Sequence, residues 1–189
     1  MKYFLIISFI LIYSVTVFAS DFAEKEVAIL DSLLLIASEN EAGLEALVEY
    51  IDNLSNKKEF NKSPLLLSYR GIAEAVKGKY AFWPFTKLSY LNDGLELMNE
   101  AVTKDSLNIK IRYMRFTVLN SLPGIVGHSS FADSEANKLY TQLVEMNNSD
   151  NKLYYSVASL LVNSERLSDN QVDELLKYYN VDGQWAHTC

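Results

Sequence analysis

The sequence predicts an all-α domain of about eight helices, paired as four stacked antiparallel α-hairpins, with an irregular helical bundle as the alternative packing. Three observations lead there. Beyond residue 20, apolar residues return at three- and four-residue intervals along almost the whole chain, and no stretch sustains the alternation of a half-buried strand. Only 3 prolines and 7 glycines punctuate 189 residues, too few for a chain of short strands and tight turns. The pairs of apolar stripes begin near residues 21, 63, 108 and 150, at offsets of 42, 45 and 42, the regularity of a structural repeat.

Residues 1–19 stand apart. Lys2 gives a positive start, Phe4 to Val17 is an almost unbroken apolar run, and Val17-Phe18-Ala19 ends in a small residue. This is the layout of a secretory signal peptide. A membrane anchor would need a longer run, ~20 residues, and a basic flank. The expectation is therefore an exported protein, periplasmic or secreted, with no transmembrane segment once the signal is removed. The helical domain then covers residues 20–180, and 181–189 form a tail.

The stripes follow in order. Ala23, Val27, Leu30, Leu34 and Ala37 make the first, and Leu44, Leu47, Val48, Ile51 and Leu54 the second. Leu66, Tyr69, Ile72, Ala73 and Val76 precede Leu88, Leu91, Leu95, Met98 and Val102. The second half repeats the scheme with Ile111, Met114, Val118 and Leu122, then Ala132, Ala136, Leu139 and Leu143. Leu153, Val157, Leu160 and Leu161 and, last, Val172, Leu175, Leu176 and Tyr179 complete it. Ser38 with Glu41 and Ser168 with Gln171 have capping-box spacing, and Ser63-Pro64 sets a cap residue before a proline at the first helical position. Between the third and fourth stripes, Tyr80 to Phe85 reads as an aromatic loop, expected to fold back so that Trp83 is buried over the hairpin.

Composition excludes more than it assigns. With 24 Asp and Glu against 17 Lys and Arg the chain is net −7, which disfavours nucleic acid as a partner. Cys189 is the only cysteine, so no internal disulfide is available to an exported chain. His128 and His187 lack a second His or Cys at ligand spacing, and no phosphate loop, nucleophile elbow or HExxH occurs. No metal, cofactor or catalytic group is expected from the sequence. Glu41, Glu45 and Glu49 line one helix face and read as a solvated stripe rather than a cation site.

Gly94, Met98 and Ala101 fall at the small, bulky and small positions of a helix that resembles the second helix of a tetratricopeptide repeat. Lys104-Asp105-Ser106-Leu107-Asn108 looks like that family's turn, and Ser63 to Tyr80 looks like a first helix with Gly71 as its close-packing residue. The pattern departs at Ser106, where proline is usual, and at Arg112 and Arg115-Phe116, where an apolar residue and Leu-Gly would stand. About eleven extra residues also separate the expected pair of helices. The resemblance implies a degenerate tetratricopeptide-like superhelix. The runs Trp83 to Tyr90, Ile111 to Phe116 and Pro123 to Ser129 are also similar to small, functionally uncharacterised exported proteins of Bacteroidota. That likeness implies a bacterial exported helical protein and adds no chemistry.

Candidate partner-binding residues are Arg70, Trp83, Tyr90, Arg112, Arg115 and His128. Arginine holds a carboxylate through two parallel bonds, so Arg70, Arg112 and Arg115 could clamp a peptide terminus or acidic side chain. The competing reading is internal ion pairs with residues such as Glu74, Asp93 or Glu96. Trp83 and Tyr90 belong to the aromatic cluster, which reads as partner anchors or as packing. The function that fits is a non-catalytic, exported scaffold binding an unknown protein or peptide. The alternatives are an enzyme with a non-local active site and a peripheral envelope protein that uses the aromatic loop.

Overall fold

The computed structural model describes residues 24–124, 127–146 and 152–179. The expected signal peptide, the tail with Trp185, His187 and Cys189, and the break at Asn147 lie outside the described residues. Within them the protein is all-helical and has no strand. Helix α1 covers 24–39, followed by α2 (Glu41–Ser55), α3 (Pro64–Tyr80) and α4 (Pro84–Lys104). The second half comprises α5 (Ile109–Ser121), α6 (Ser129–Met146), α7 (Lys152–Val162) and α8 (Asp169–Tyr179). None of the described helices is long and apolar enough to cross a membrane.

The caps explain most boundaries. Ser63 Oγ accepts from the Leu66 N–H with Pro64 in the first turn, and Asn108 Oδ1 accepts from the N–H groups of Lys110 and Ile111. Gln171 Oε1 reaches back to the Ser168 N–H at 3.0 Å, as the capping-box spacing predicts. The expected Ser38–Glu41 box does not form. Helix α1 runs through Ser38, whose hydroxyl donates to the Leu35 carbonyl, and Asn40 caps α2 by accepting from the Gly43 N–H at 2.8 Å. A single residue therefore joins α1 to α2, and Gly43 is needed there: a Cβ would lie 2.6 Å from the backbone of Ile36.

The chain between α3 and α4 also differs from expectation. Pro84 opens α4, so the extra residues extend the two helices and leave only Ala81, Phe82 and Trp83 as connection. The two helices touch through backbone where Gly71 meets Gly94 and where Gly78 meets the Lys87 carbonyl. Past that contact the hairpin projects, and every residue from Phe82 to Ser89 is exposed. Trp83 is 67% exposed and not buried. A three-residue connection is too short to fold its rings back over a hairpin whose helices already touch.

Two large apolar clusters, and a small third one of Ala101, Val102 and Ile111, meet on α5. Leu30, Leu47, Ile51, Tyr69, Met98 and Met114 belong to the first, and Phe116, Leu139, Leu143, Val157, Leu161 and Leu175 to the second. Helix α5 buries Ile109, Ile111, Met114, Phe116, Val118 and Leu119, so it is apolar on most sides, as a central helix must be. Tyrosines tie the other helices together. Tyr50 donates to Glu26, Tyr69 to Asp31 and Tyr140 to Glu174, while Tyr80 and Tyr179 donate to the carbonyls of Ala37 and Leu143. Each ring fills apolar space and its hydroxyl reaches a polar atom of another helix.

Candidate functional site

Helices α5 and α6 carry the only buried ion cluster among the described residues. Glu135 is 1% exposed, although it sits on the stripe of Ala132, Ala136 and Leu139. Arg112 Nη1 donates to its Oε1 at 2.9 Å, and Arg115 Nη2 donates to its Oε2. Arg112 Nε also donates to the Ser106 carbonyl, and Arg115 Nη1 to Asn99 Oδ1 at 2.9 Å. The pairing is internal, but its partner is Glu135 and not Glu74, Asp93 or Glu96. Both guanidiniums reach α6, where Glu135 stands, and on the preceding hairpin Arg115 meets Asn99 of α4 rather than a carboxylate. A carboxylate this deep is tolerable only because two guanidiniums face it.

A cleft opens on each side of this triad. One, of about 380 Å³, is lined by Leu95, Asn99, Arg115, Leu119, His128 and Phe131, among others. The other, of about 460 Å³, is lined by Leu107, Arg112, Asn137, Thr141 and Gln142, among others. Both are walled by Ser134 and Lys138, so the two clefts adjoin along α6 and are taken together as the α5–α6 groove. The ridge Phe131, Ser134, Lys138 and Thr141 or Gln142 has the three-and-four spacing of a helix face. Two buried polar atoms here lack a hydrogen-bond partner: Arg115 Nε, a donor, and Gln142 Oε1, an acceptor. Gln142 Nε2 points at the Leu107 carbonyl at 3.3 Å, which fixes the amide with its oxygen left over. Three cations, Arg112, Arg115 and Lys138, line the groove against one carboxylate, Glu135, in a chain of net −7.

The other sequence candidates are elsewhere. Arg70 donates to Asp52 Oδ1 at 2.6 Å across the surface of α2 and α3, away from the groove. Trp83 stands at the α3–α4 tip, and half-buried Tyr90 has Lys77 Nζ 6.0 Å from its ring centroid. His128 does reach the groove. Gly127, at φ 82, turns the chain just before it, and its ring lies 6.0 Å from that of Phe131. Sequence reasoning missed Glu135, Lys138 and Gln142. Glu135 had a signal, since a carboxylate on the inner face of an apolar stripe must find a cation; Lys138 and Gln142 follow from it by one and two helical turns. No group of three or more His, Cys, Asp or Glu side chains converges as a metal site among the described residues.

No protein-family model matches the chain, and neither the curated proteins nor the solved structures contain a match to it.

Proposed function

We propose that this chain is an exported, non-catalytic helical scaffold of tetratricopeptide-like build that binds an acidic, extended peptide segment along the α5–α6 groove. The observation that carries the reading is the pair of buried unpartnered atoms, Arg115 Nε and Gln142 Oε1, in adjoining clefts. An unmet buried polar group costs free energy, and such groups in a native fold call for a partner. An extended peptide offers carbonyls and N–H groups in alternation, which suits a donor and an acceptor spaced along one groove. Small shifts of the two side chains would bring these atoms to it. The excess of cations selects acidic residues in the ligand, and Leu95, Leu119 and Phe131 receive an apolar one.

Support for an enzyme is weaker. The titratable groups that converge among the described residues include Arg112 and Arg115 on Glu135, Tyr69 and Lys110 on Asp31, and Tyr50 and Lys57 on Glu26, and in each set they bond to one another. Export rests on the layout of residues 1–19 and on the likeness to exported helical proteins.

Fluorescence anisotropy with a set of labelled peptides tests the reading. Acidic peptides with one large apolar residue should bind more tightly than counterparts in which Lys replaces Glu. Lys138→Glu should weaken that binding by tenfold or more at an unchanged melting temperature, because Lys138 is exposed. Equal affinity for acidic and basic peptides would contradict it.

A further inference from the structure

The projecting tip of the α3–α4 hairpin is built unlike the rest of the surface. Phe82 is 83%, Trp83 67% and Phe85 88% exposed, and Leu88 follows one turn later on α4. Phe82 and Trp83 already pack edge to face, centroids 5.0 Å apart at 90°. The two rings pack on each other at the tip and not on the body of the fold. Tyr80 holds the base of the finger by donating to the Ala37 carbonyl at 2.7 Å, beside the exposed Leu35 and Ile36 at the end of α1. Leaving this much apolar area in water is unfavourable unless something covers it.

Charge identifies the cover. Residues 75–92 contain no Asp or Glu, although the chain as a whole is net −7. They contain Lys77, Lys79 and Lys87. Lys77 pairs with Glu74, but neither Lys79 nor Lys87 pairs with a carboxylate of the described residues. Lys79 instead donates to the Ser38 carbonyl at the foot of the finger. Along α4 the step from Phe85 to Leu88 is about 5 Å, so the rings and the lysines fit the acyl boundary and the headgroup layer of one leaflet. Trp with Lys at that depth is the composition of membrane-interface belts.

From these features we infer that the α3–α4 finger inserts its Phe82-Trp83-Pro84-Phe85 tip into the interface of a bilayer containing anionic phospholipid. This site is separate from the α5–α6 groove and needs no peptide. The tip itself, Phe82 to Ser89, carries no acid. Glu39 and Glu41 sit at the α1–α2 corner, at the base of the finger, and charges further away are screened within about 10 Å at ordinary salt. A finger of rings exposed from Phe82 to Ser89 suits a fluid interface better than a protein surface.

The test uses the full chain with Trp185→Phe, so that Trp83 is the only indole. Its emission reports the tip itself, and an apolar N-terminal segment that binds vesicles on its own cannot imitate it. With phosphatidylcholine vesicles containing phosphatidylglycerol, emission should shift blue and be quenched by brominated acyl chains. Lys87→Gln should lower the vesicle partition coefficient by about fivefold on these vesicles and leave it unchanged on pure phosphatidylcholine. Phe82→Ser with Phe85→Ser should abolish the shift while circular dichroism stays that of the parent. Three results would each overturn the inference: a Trp83 emission that stays red on vesicles to which the chain sediments, no shift with any vesicle, or a shift that follows protein concentration without lipid.

Discussion

A Cβ placed on Gly94 would lie 2.5 Å from the carbonyl oxygen of Gly71, and one placed on Gly71 would lie 2.8 Å from that of Gly94. The two helices meet backbone to backbone; the Met98 side chain, 2.7 Å from a Cβ on Gly71, could move aside, but the carbonyls of Gly71 and Gly94 could not. Alanine at 94 gains about 1 kcal/mol in helix propensity. It must also force α4 off α3, an overpacking that costs ~1–3 kcal/mol and that leucine makes worse. Gly94→Leu should therefore melt well below the parent in a thermal scan, and Gly94→Ala should not be stabilised. A Gly94→Leu protein melting at or above the parent would place the contact elsewhere.

Glu135 and its two arginines make the second prediction. Glu135→Gln removes the charge that both guanidiniums face and leaves two cations partly buried without compensation. Breaking a buried ion cluster from one side costs ~3–5 kcal/mol. The exposed pair of Arg70 and Asp52 should contribute no more than ~1 kcal/mol. Urea unfolding of Glu135→Gln beside Asp52→Asn compares the two directly.

Asp31 binds three helices into one unit. It accepts from Tyr69 Oη at 2.5 Å, and Lys110 Nζ lies 2.8 Å from each of its oxygens. Burial first, and then the bond to Asp31, pushes the Tyr69 phenol well up from its ordinary value. Burial and the bond to Glu26 push Tyr50 up to about 12. A raised value means that the folded state favours the neutral phenol. That stability is complete below the unfolded value, near 10, and is lost as pH rises from there through the folded value. The melting temperature should fall steeply between about pH 10 and 12, and Tyr50→Phe should blunt the fall.

Trp83→Ala should change stability by less than about 0.5 kcal/mol, since an exposed side chain away from special features contributes little. This reverses the sequence-based expectation of a core aromatic. Without lipid, Trp83 should emit as a water-exposed indole in the Trp185→Phe background.

Periodicity made the helices legible. Stripes such as Leu95, Met98 and Val102 report which side of a helix is buried, because the spacing of apolar residues is a direct image of helix geometry. Gly71 and Gly94 were legible for the same reason, since glycine is a poor helix former and survives there where a neighbour comes close. The start of α4 was not. Trp83-Pro84-Phe85 reads equally as loop or as first turn, and only the length left between two helices in contact decides it. The groove was half legible: Arg112, Arg115 and His128 stand out by residue type. Glu135 closes it from a helix that sequence alone does not bring beside α5.

The most direct test of peptide binding is the Nε–Hε region of a nitrogen–proton correlation spectrum, recorded while an acidic peptide is added. The predicted result is a downfield move of the Arg115 Hε signal, as its unpartnered donor gains a carbonyl, with Arg70 and Arg166 unmoved. Saturating peptide that leaves Arg115 in place, or that moves Arg70 instead, would contradict a ligand in the α5–α6 groove.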